Sequence, residues 1–316
     1  MDFSKLVASR RDFLGYVSVS AAGLVLAPLN TSARSDESSS SDRPSIGLAL
    51  GSGGASGLAH IVMLEVFDEL DIKPSIIAGS SIGSIIGALY ASGLSGKEIR
   101  DIVLQFSGSD MEAFRTLIQG DSGLELMDLL KVDLDAGGLL DTQGFLNFLK
   151  DKIRVSTFEE LPVPLVVAAA DYWKQKQVVI DSGDIVQAVK ASMAVPGLFA
   201  PVAWQDRLLV DGGTVNPLPY DLVADKCDVV VAIDVSGGIT PKKRDKPNFS
   251  DSLFNSFDIM QQAIIHQKLK YQQPDIYIRP EIKDIRMLHF HRSPEIFEQA
   301  ASAAGELRNK LDKLLG

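Results

Sequence analysis

The sequence predicts an α/β protein, a three-layer sandwich with a central, mostly parallel sheet. Short, wholly apolar runs such as "IGLAL" and "CDVVVAIDVS" are typical of strands buried on both faces. Helical spacings of apolar residues follow several of these runs, so strands and helices alternate along the chain. The order strand, glycine-rich turn, helix occurs twice near the start. The length of 316 residues allows one large domain with a sizeable core.

The first predicted strand begins at Ile46 and leads through "GSGGASG" into the helical pattern "LAHIVMLEVFDEL". The second, "SIIA", leads through "GSSIG" into the small-residue helix "IGSIIGALYASG". Later strands are predicted at "PLVVAAAD", "QVVI", "RLLVD", "CDVVVAIDVS" and "DIYIRP".

Two stretches leave alternatives open. Gln105 to Lys152 is mostly helical in pattern, and its apolar cluster fits either ordinary core or a groove for an acyl chain. The loop-like stretch with four basic residues from Lys242 to Lys246 fits either a solvated loop or a contact with lipid headgroups. The apolar cluster consists of Leu124, Leu126, Met127, Leu129 and Leu130.

Composition excludes several classes of function. The formal charge is −10, from 31 basic and 41 acidic residues, which disfavours a nucleic-acid binder. The same balance opposes general attraction to anionic lipid surfaces, although a local basic patch could still act. A single cysteine, Cys227, rules out an intramolecular disulfide and a cysteine-rich metal site.

The N-terminal segment predicts export. Arg10-Arg11 precede a short, weakly apolar run that ends in small residues at Ala33, the pattern of a bacterial Tat signal peptide over residues 1–33. An uncleaved anchor is the alternative, but the run is short and contains Ser18 and Pro28. Residues 34–45 are serine-rich and predict a flexible linker, so residues 46–316 form the folded domain. The expected location is periplasmic, or membrane-associated on the periplasmic side.

The pentapeptide Gly79-Ser80-Ser81-Ile82-Gly83 lies between a predicted strand and a predicted helix. A G-x-S-x-G turn in this context holds its serine at a helix N-terminus, where backbone amides favour developing negative charge. Ser81 is therefore a candidate nucleophile. The alternative is a small-residue corner that only packs tightly.

Two further turns complete a candidate site. "LGSGGASG", Leu50 to Gly57, lacks the spacing of a phosphate-binding loop but can direct several backbone amides toward one point, as an oxyanion hole. Asp211 ends the strand "RLLVD" before two glycines, where a carboxylate can act as general base. Each of these turns could also be purely structural.

Together these motifs, from Ile46 to about Asp234, resemble the patatin-like phospholipases, serine acyl hydrolases that use a Ser-Asp dyad. "ASMAVPGLFAPV" and the tail around "DIYIRPEI" are similar to bacterial members. The resemblance implies a patatin-like fold, Ser81 as nucleophile and Asp211 as base. It also implies an oxyanion hole from Gly51, Gly53 and Gly54, and motif-supporting glycines at Gly57, Gly79, Gly83, Gly212 and Gly213.

The sequence departs from the family at one position. Ser56 stands where the family usually has Arg or Lys, which weakens the phospholipid assignment more than the esterase assignment. A rival Ser–Asp–His triad is also open, since three histidines follow Asp211, although "MLHFHRSPE" carries no glycine-flanked loop. These histidines are His266, His289 and His291; the fourth, His60, follows the glycine loop.

The expected function is hydrolysis of lipid acyl esters, of the phospholipase A or lysophospholipase type, through an acyl-serine intermediate. No metal or organic cofactor and no nucleic acid are expected; the partners are a fatty-acyl ester substrate and, transiently, a membrane surface. The alternatives are a general carboxylesterase or thioesterase with the same dyad, and a non-catalytic lipid-binding module on the same fold.

Overall fold

The computed structural model of the chain describes residues 43–106, 143–238, 240 and 249–315. The predicted export signal (1–33), nearly all of the predicted linker, the Leu124–Leu130 cluster and the basic stretch Lys242–Lys246 lie outside the described residues. The expectations for them stay predictions.

One eight-stranded sheet forms the centre of the domain. Seven strands run in the order β5-β6-β3-β2-β1-β7-β8, and β4 pairs with β3. The strands are β1 Ile46–Leu50, β2 Ile76–Ser80, β3 Leu165–Asp171, β4 Lys176–Ile180, β5 Val202–Trp204, β6 Arg207–Asp211, β7 Val229–Ile233 and β8 Ile276–Ile278.

Helices cover both faces of this sheet, which confirms the predicted three-layer α/β sandwich. Successive residues of β1 alternate between two cores: Leu48 and Leu50 face one, Ala49 the other. Ile265 of the sixth α-helix belongs to the second core. The described α-helices are α1 Ala59–Glu69, α2 Ile82–Ala91, α3 Gly96–Phe106, α4 Gln143–Lys152, α5 Ile185–Ser192, α6 Phe249–Tyr271 and α7 Ser293–Leu315.

Each apolar run singled out in the sequence forms a strand. The central strands β3, β2, β1, β7 and β8 are mutually parallel, whereas β4 and β6 pair antiparallel with β3 and β5 pairs antiparallel with β6. "Mostly parallel" is therefore correct. The strand β5, only three residues long, was not predicted.

The register of β3 brings two distant strand ends together. Ser80, the end of β2, pairs with Ala168, and Asp211, the end of β6, pairs with the next residue, Ala169. Because β4 overlaps both pairings along β3, β2 and β6 must share the opposite side of that strand. The two strands therefore run toward each other and end at adjacent positions.

No helix in the described part of the chain combines the length and the apolarity needed to span a membrane.

Candidate active site

Ser81 occupies the sharp turn between β2 and α2. Its backbone has φ 52° and ψ −123°, a positive φ that serine adopts only under strain. The residue is only 6% exposed. The turn places the serine at the N-terminus of α2, as the G-x-S-x-G pattern predicted.

The glycines of this turn are required by close backbone approach. A Cβ on Gly83 would lie 2.1 Å from the Leu50 carbonyl oxygen, and one on Gly79 would lie 2.5 Å from that of Gly83. A Cβ on Gly57 would lie 2.2 Å from the Ile82 side chain. The Ser81 turn thus packs directly against the glycine-rich loop after β1.

Asp211 meets Ser81 at the end of β6. The Ser81 hydroxyl donates a hydrogen bond of 2.6 Å to Asp211 Oδ2, and the Gly213 amide donates one of 2.6 Å to Oδ1. Gly212 permits this approach, since a Cβ there would lie 2.1 Å from the Ala168 carbonyl oxygen. The structure thus places the two predicted residues in direct contact across 130 positions.

Burial dominates the electrostatics of Asp211. The side chain is fully buried, and desolvation raises the pKa of its carboxyl group to about 7, against the lowering effect of the Ser81 and Gly213 hydrogen bonds. A carboxyl group with a pKa near 7 can take a proton at neutral pH and give it back. The contact and the pKa together suit a general base for Ser81.

The glycine loop offers fewer free amides than the sequence suggested. The amides of Gly51, Ser52 and Ala55 donate to the carbonyls of Ile233, Pro217 and Met287, at 3.0, 2.7 and 2.8 Å. The inclusion of Gly51 in the oxyanion hole is therefore corrected, because its N–H is already bonded within the fold.

Gly53 and Gly54 keep their amides available. Within the described part of the chain, neither amide donates a backbone hydrogen bond. Gly54 has φ +56°, and a Cβ on Gly53 would lie 2.6 Å from the Val235 carbonyl oxygen. Glycine is thus needed at both positions for this loop shape.

Ser56, which departs from the family pattern, is not exposed to solvent. It is 2% exposed, and its hydroxyl lies 3.0 Å from where a Cβ on Gly237 would be. Ser56 is thus a buried residue beside Gly237.

Ser192, a residue that the sequence did not single out for a role, fixes the Ser81 backbone. Its hydroxyl accepts a hydrogen bond from the Ser81 amide (2.9 Å) and donates one to the Ala168 carbonyl (2.7 Å). It thereby ties the strained turn to β3. The only sequence signal was its place in "ASMAVPG", similar to the family.

Replacing Ser192 with alanine should lower kcat by about 10- to 100-fold with little change in KM, because the Ser81 turn loses its anchor. Fluorophosphonate labelling of Ser81 should slow in parallel. The buried Ser81 amide would lose its acceptor, which costs about 1–3 kcal/mol of stability.

Ser84→Ala is the matched control for that variant. The Ser84 hydroxyl also bonds Ser81, but through the carbonyl, which still accepts from the Ser84 amide at 2.8 Å. Near-normal turnover is expected. Equal losses in both variants, or an unchanged kcat in Ser192→Ala, would show that the anchor does not position the nucleophile.

A second contact missed by the sequence joins the glycine loop to α6. Gln261 Nε2 donates 3.0 Å to the Ser52 hydroxyl, and both side chains are buried. A Cβ on Gly213 would lie 2.3 Å from Gln261 Nε2 and 2.6 Å from the Ser52 hydroxyl. The absence of a side chain at Gly213 therefore allows the glycine-rich loop, α6 and Asp211 to pack together.

Among the hydrogen bonds of the described residues, none joins a histidine to Ser81 or to the Asp211 carboxylate. His60 is fully buried, its Nε2–H donates 2.8 Å to the Gly51 carbonyl, and burial lowers its pKa to about 4. His266 is exposed on α6, and His289 accepts from the Arg286 amide. The geometry supports the dyad over the triad.

The described residues contain no group of three or more His, Cys, Asp or Glu side chains that could hold a metal ion.

Fold and site together define a class: an α/β protein with a strained strand-to-helix serine bonded to a buried aspartate beside a glycine-rich loop. The sequence profile described as "Patatin-like phospholipase" matches residues 48–224, more than half of the chain. The chain belongs to the patatin-like phospholipase family.

The chain is also similar to individual proteins. It is 31% identical over 217 residues to an uncharacterised NTE family protein of Mycobacterium tuberculosis, covering 68% of this chain and 56% of that protein. It is 28% identical over 281 residues to "Lysophospholipase NTE1" of Kluyveromyces lactis, covering 80% and 18%. Among solved structures, VipD from Legionella pneumophila aligns with a TM-score of 0.46 at 12% identity, covering 85% and 67%.

The chain thus spans about half the length of the mycobacterial relative and a smaller share of the yeast one.

Proposed function

We propose that the protein hydrolyses fatty-acyl esters of lipids through a Ser81–Asp211 dyad. The observation that carries the proposal is the 2.6 Å hydrogen bond from the hydroxyl of a strained, helix-terminal serine to a buried carboxylate. Membership of the patatin-like phospholipase family and similarity to a protein named as a lysophospholipase support a lipid ester as the substrate class.

The reaction proceeds in two halves. Asp211 takes the proton of Ser81 as the serine oxygen attacks the ester carbonyl, and the amides of Gly53 and Gly54 stabilise the oxyanion. Collapse of the tetrahedral intermediate expels the alcohol, which takes up the proton, and leaves an acyl-serine. Water then attacks the acyl-serine as Asp211 takes its proton. The second tetrahedral intermediate collapses, Asp211 returns the proton to the Ser81 oxygen, and the fatty acid departs.

A lipid panel tests the proposal. Purified residues 34–316 are incubated with phospholipids, lysophospholipids, acylglycerols and acyl thioesters, and released products are identified by mass spectrometry. Free fatty acid from an oxygen-ester lipid is the expected result. Release from thioesters or water-soluble esters alone would assign the thioesterase or carboxylesterase alternative. No release, with no fluorophosphonate labelling of folded protein, would favour the lipid-binding module.

A further inference from the structure

The turn that joins β3 to β4 exposes two aromatic side chains. Trp173 is 75% exposed and Tyr172 is 49% exposed, and their rings meet edge to face at 4.8 Å. Exposed tryptophan is unusual on a soluble surface, because its large apolar ring costs free energy in water. We call this turn, Tyr172–Gln175, the hairpin tip.

The hairpin tip is rigidly built. The buried Asp171 carboxylate accepts from the amides of Trp173 and Lys174, at 3.1 and 2.8 Å. The Gln175 amide donates to the Asp171 carbonyl at 2.9 Å, and the Tyr172 amide donates to the Leu208 carbonyl at 2.8 Å. The backbone therefore holds the aromatic pair outward before any partner arrives.

The side chains exposed at the hairpin tip include basic residues, whereas the acidic side chain that supports the tip is buried. Lys174 in the tip and Lys176 just after it follow the aromatic pair and are exposed, whereas Asp171 is only 3% exposed. Aromatic rings beside lysines suit the interface of a bilayer, where the rings sit among headgroups and the ammonium groups meet phosphates.

The hairpin tip lies at the same edge of the sheet as the candidate active site. Ser80 pairs with Ala168 of β3, and the strand then continues past the Ser81 turn. At a rise of about 3.3 Å per residue, Tyr172 lies about 13 Å beyond the level of Ala168. A bilayer touched by the tip would therefore be on the side of the molecule that carries Ser81.

We propose that the hairpin tip is a membrane-interface anchor that seats Trp173 and Tyr172 among phospholipid headgroups and sets Lys174 and Lys176 against lipid phosphates. This inference rests on the proposed function for its purpose, because the anchor would bring Ser81 to its lipid substrate. The overall charge of −10 opposes long-range attraction, so the aromatic pair supplies most of the binding.

A matched control lies at the opposite edge of the sheet. Tyr271 is 90% exposed and ends α6, five residues before β8 begins. Because β8 runs parallel to β7 and β1, its start lies at the amino edge, away from Ser81. Tyr271→Ala therefore removes an exposed aromatic side chain that a bilayer at the carboxyl edge would not touch.

Binding is measured by cosedimentation with vesicles of equal parts phosphatidylcholine and phosphatidylglycerol, with Ser81→Ala as background so that no lipid is consumed. Trp173→Ala should weaken binding about tenfold or more, since the ring leaves the interface. Lys174→Gln with Lys176→Gln should weaken it less, and Tyr271→Ala should leave it unchanged. Equal binding by Trp173→Ala and the background protein would overturn the proposal.

Fluorescence separates bilayer contact from contact between copies. The chain has two tryptophans, Trp173 and Trp204. Brominated phospholipids should quench the emission of a Trp204→Phe variant, in which Trp173 alone reports. No quenching, or a lower sedimenting mass for Trp173→Ala in lipid-free buffer, would instead assign the hairpin tip to an interface between copies and overturn the proposal.

Activity assays keep this inference distinct from the proposed function. With Ser81 intact, Trp173→Ala should reduce hydrolysis of vesicle lipid about tenfold and leave hydrolysis of a water-soluble short-chain ester unchanged. If the intact protein hydrolyses neither substrate yet Trp173→Ala still loses vesicle binding, the proposed function fails and the anchor stands. If Trp173→Ala lowers the hydrolysis of vesicle lipid and of the soluble ester by the same factor, the proposed anchor is refuted.

Discussion

Replacing Ser81 with alanine should lower kcat for a chromogenic fatty-acyl ester by on the order of 10⁴-fold or more. The substitution removes the oxygen that the proposed mechanism acylates, so the two-step route is lost rather than slowed. The fold should persist, since alanine fits wherever serine does and adopts the turn at a similar backbone cost. Single-turnover kinetics and circular dichroism measure both outcomes.

Ser80→Ala is the matched control for the nucleophile. Ser80 precedes Ser81, is completely buried, and no described residue offers its hydroxyl a hydrogen bond. Fluorophosphonate should label the Ser80→Ala protein at the normal rate and the Ser81→Ala protein not at all. Persistent labelling of Ser81→Ala, or persistent turnover, would mean that another residue is the nucleophile.

Asp211→Asn should reduce kcat about 10³-fold, within the range of about 10² to 10⁴ that a general base contributes. The geometry permits the change, because the amide oxygen can still accept from Gly213 and the amide nitrogen can donate to Ser81. What is lost is proton acceptance. Wild-type kcat/KM should be half-maximal near pH 7, where Asp211 ionises, and fall tenfold per pH unit below it. The pH profile of kcat/KM for the variant should not show this decrease below pH 7.

Asp211→Asn should also make the protein more stable at alkaline pH. The folded-state pKa of about 7 lies above the usual 3.8, so the stabilising contribution of the protonated carboxyl is complete below pH 3.8. That contribution is lost as pH rises to 7, and it amounts to roughly 4 kcal/mol at about 1.36 kcal/mol per pKa unit. Asparagine does not ionise. The Tm of the variant minus the Tm of the wild type should therefore increase from about pH 4 to pH 7 and stay constant at higher pH.

A histidine base would produce the opposite pattern of losses. Full activity in Asp211→Asn, together with loss in His289→Ala or His291→Ala, would establish the triad and refute the dyad. A Tm difference between Asp211→Asn and wild type that does not rise between pH 4 and pH 8 would separately contradict the raised pKa.

The parts of the candidate site could be predicted from sequence because each part lies within a short segment. Gly79 to Gly83 specifies a strand-to-helix turn through its own small residues, and Asp211 ends an apolar strand visibly. The sheet was predictable for a similar reason, since doubly buried strands such as β1 and β7 must be apolar throughout. The glycine-rich loop, the G-x-S-x-G turn and the Asp-Gly-Gly turn occur in the same order as in the family, and this order predicted which residues would meet.

The connections between segments could not be predicted. Ser192 and Gln261 reach partners 111 and 209 positions away, and a buried serine or glutamine carries no local pattern that tells of such a contact. Gly51 was misassigned for the same reason: its amide partner, Ile233, is on another strand, and only the fold shows that the amide is already bonded.

The strands β2 and β6 meet end to end along one side of β3. The contact between Ser81 and Asp211 therefore depends on how these two strands are registered against β3. Its spacing is set by the adjacent pairings of Ala168 and Ala169, and the number of residues between Ser81 and β3 does not enter the geometry. A protein engineer could therefore lengthen or shorten a loop between α2 and β3, or insert a reporter domain there, without moving the reacting groups, provided that α2 and the close contact at Gly83 are kept. A one-residue shift in the pairing of either β2 or β6 with β3 would change their spacing.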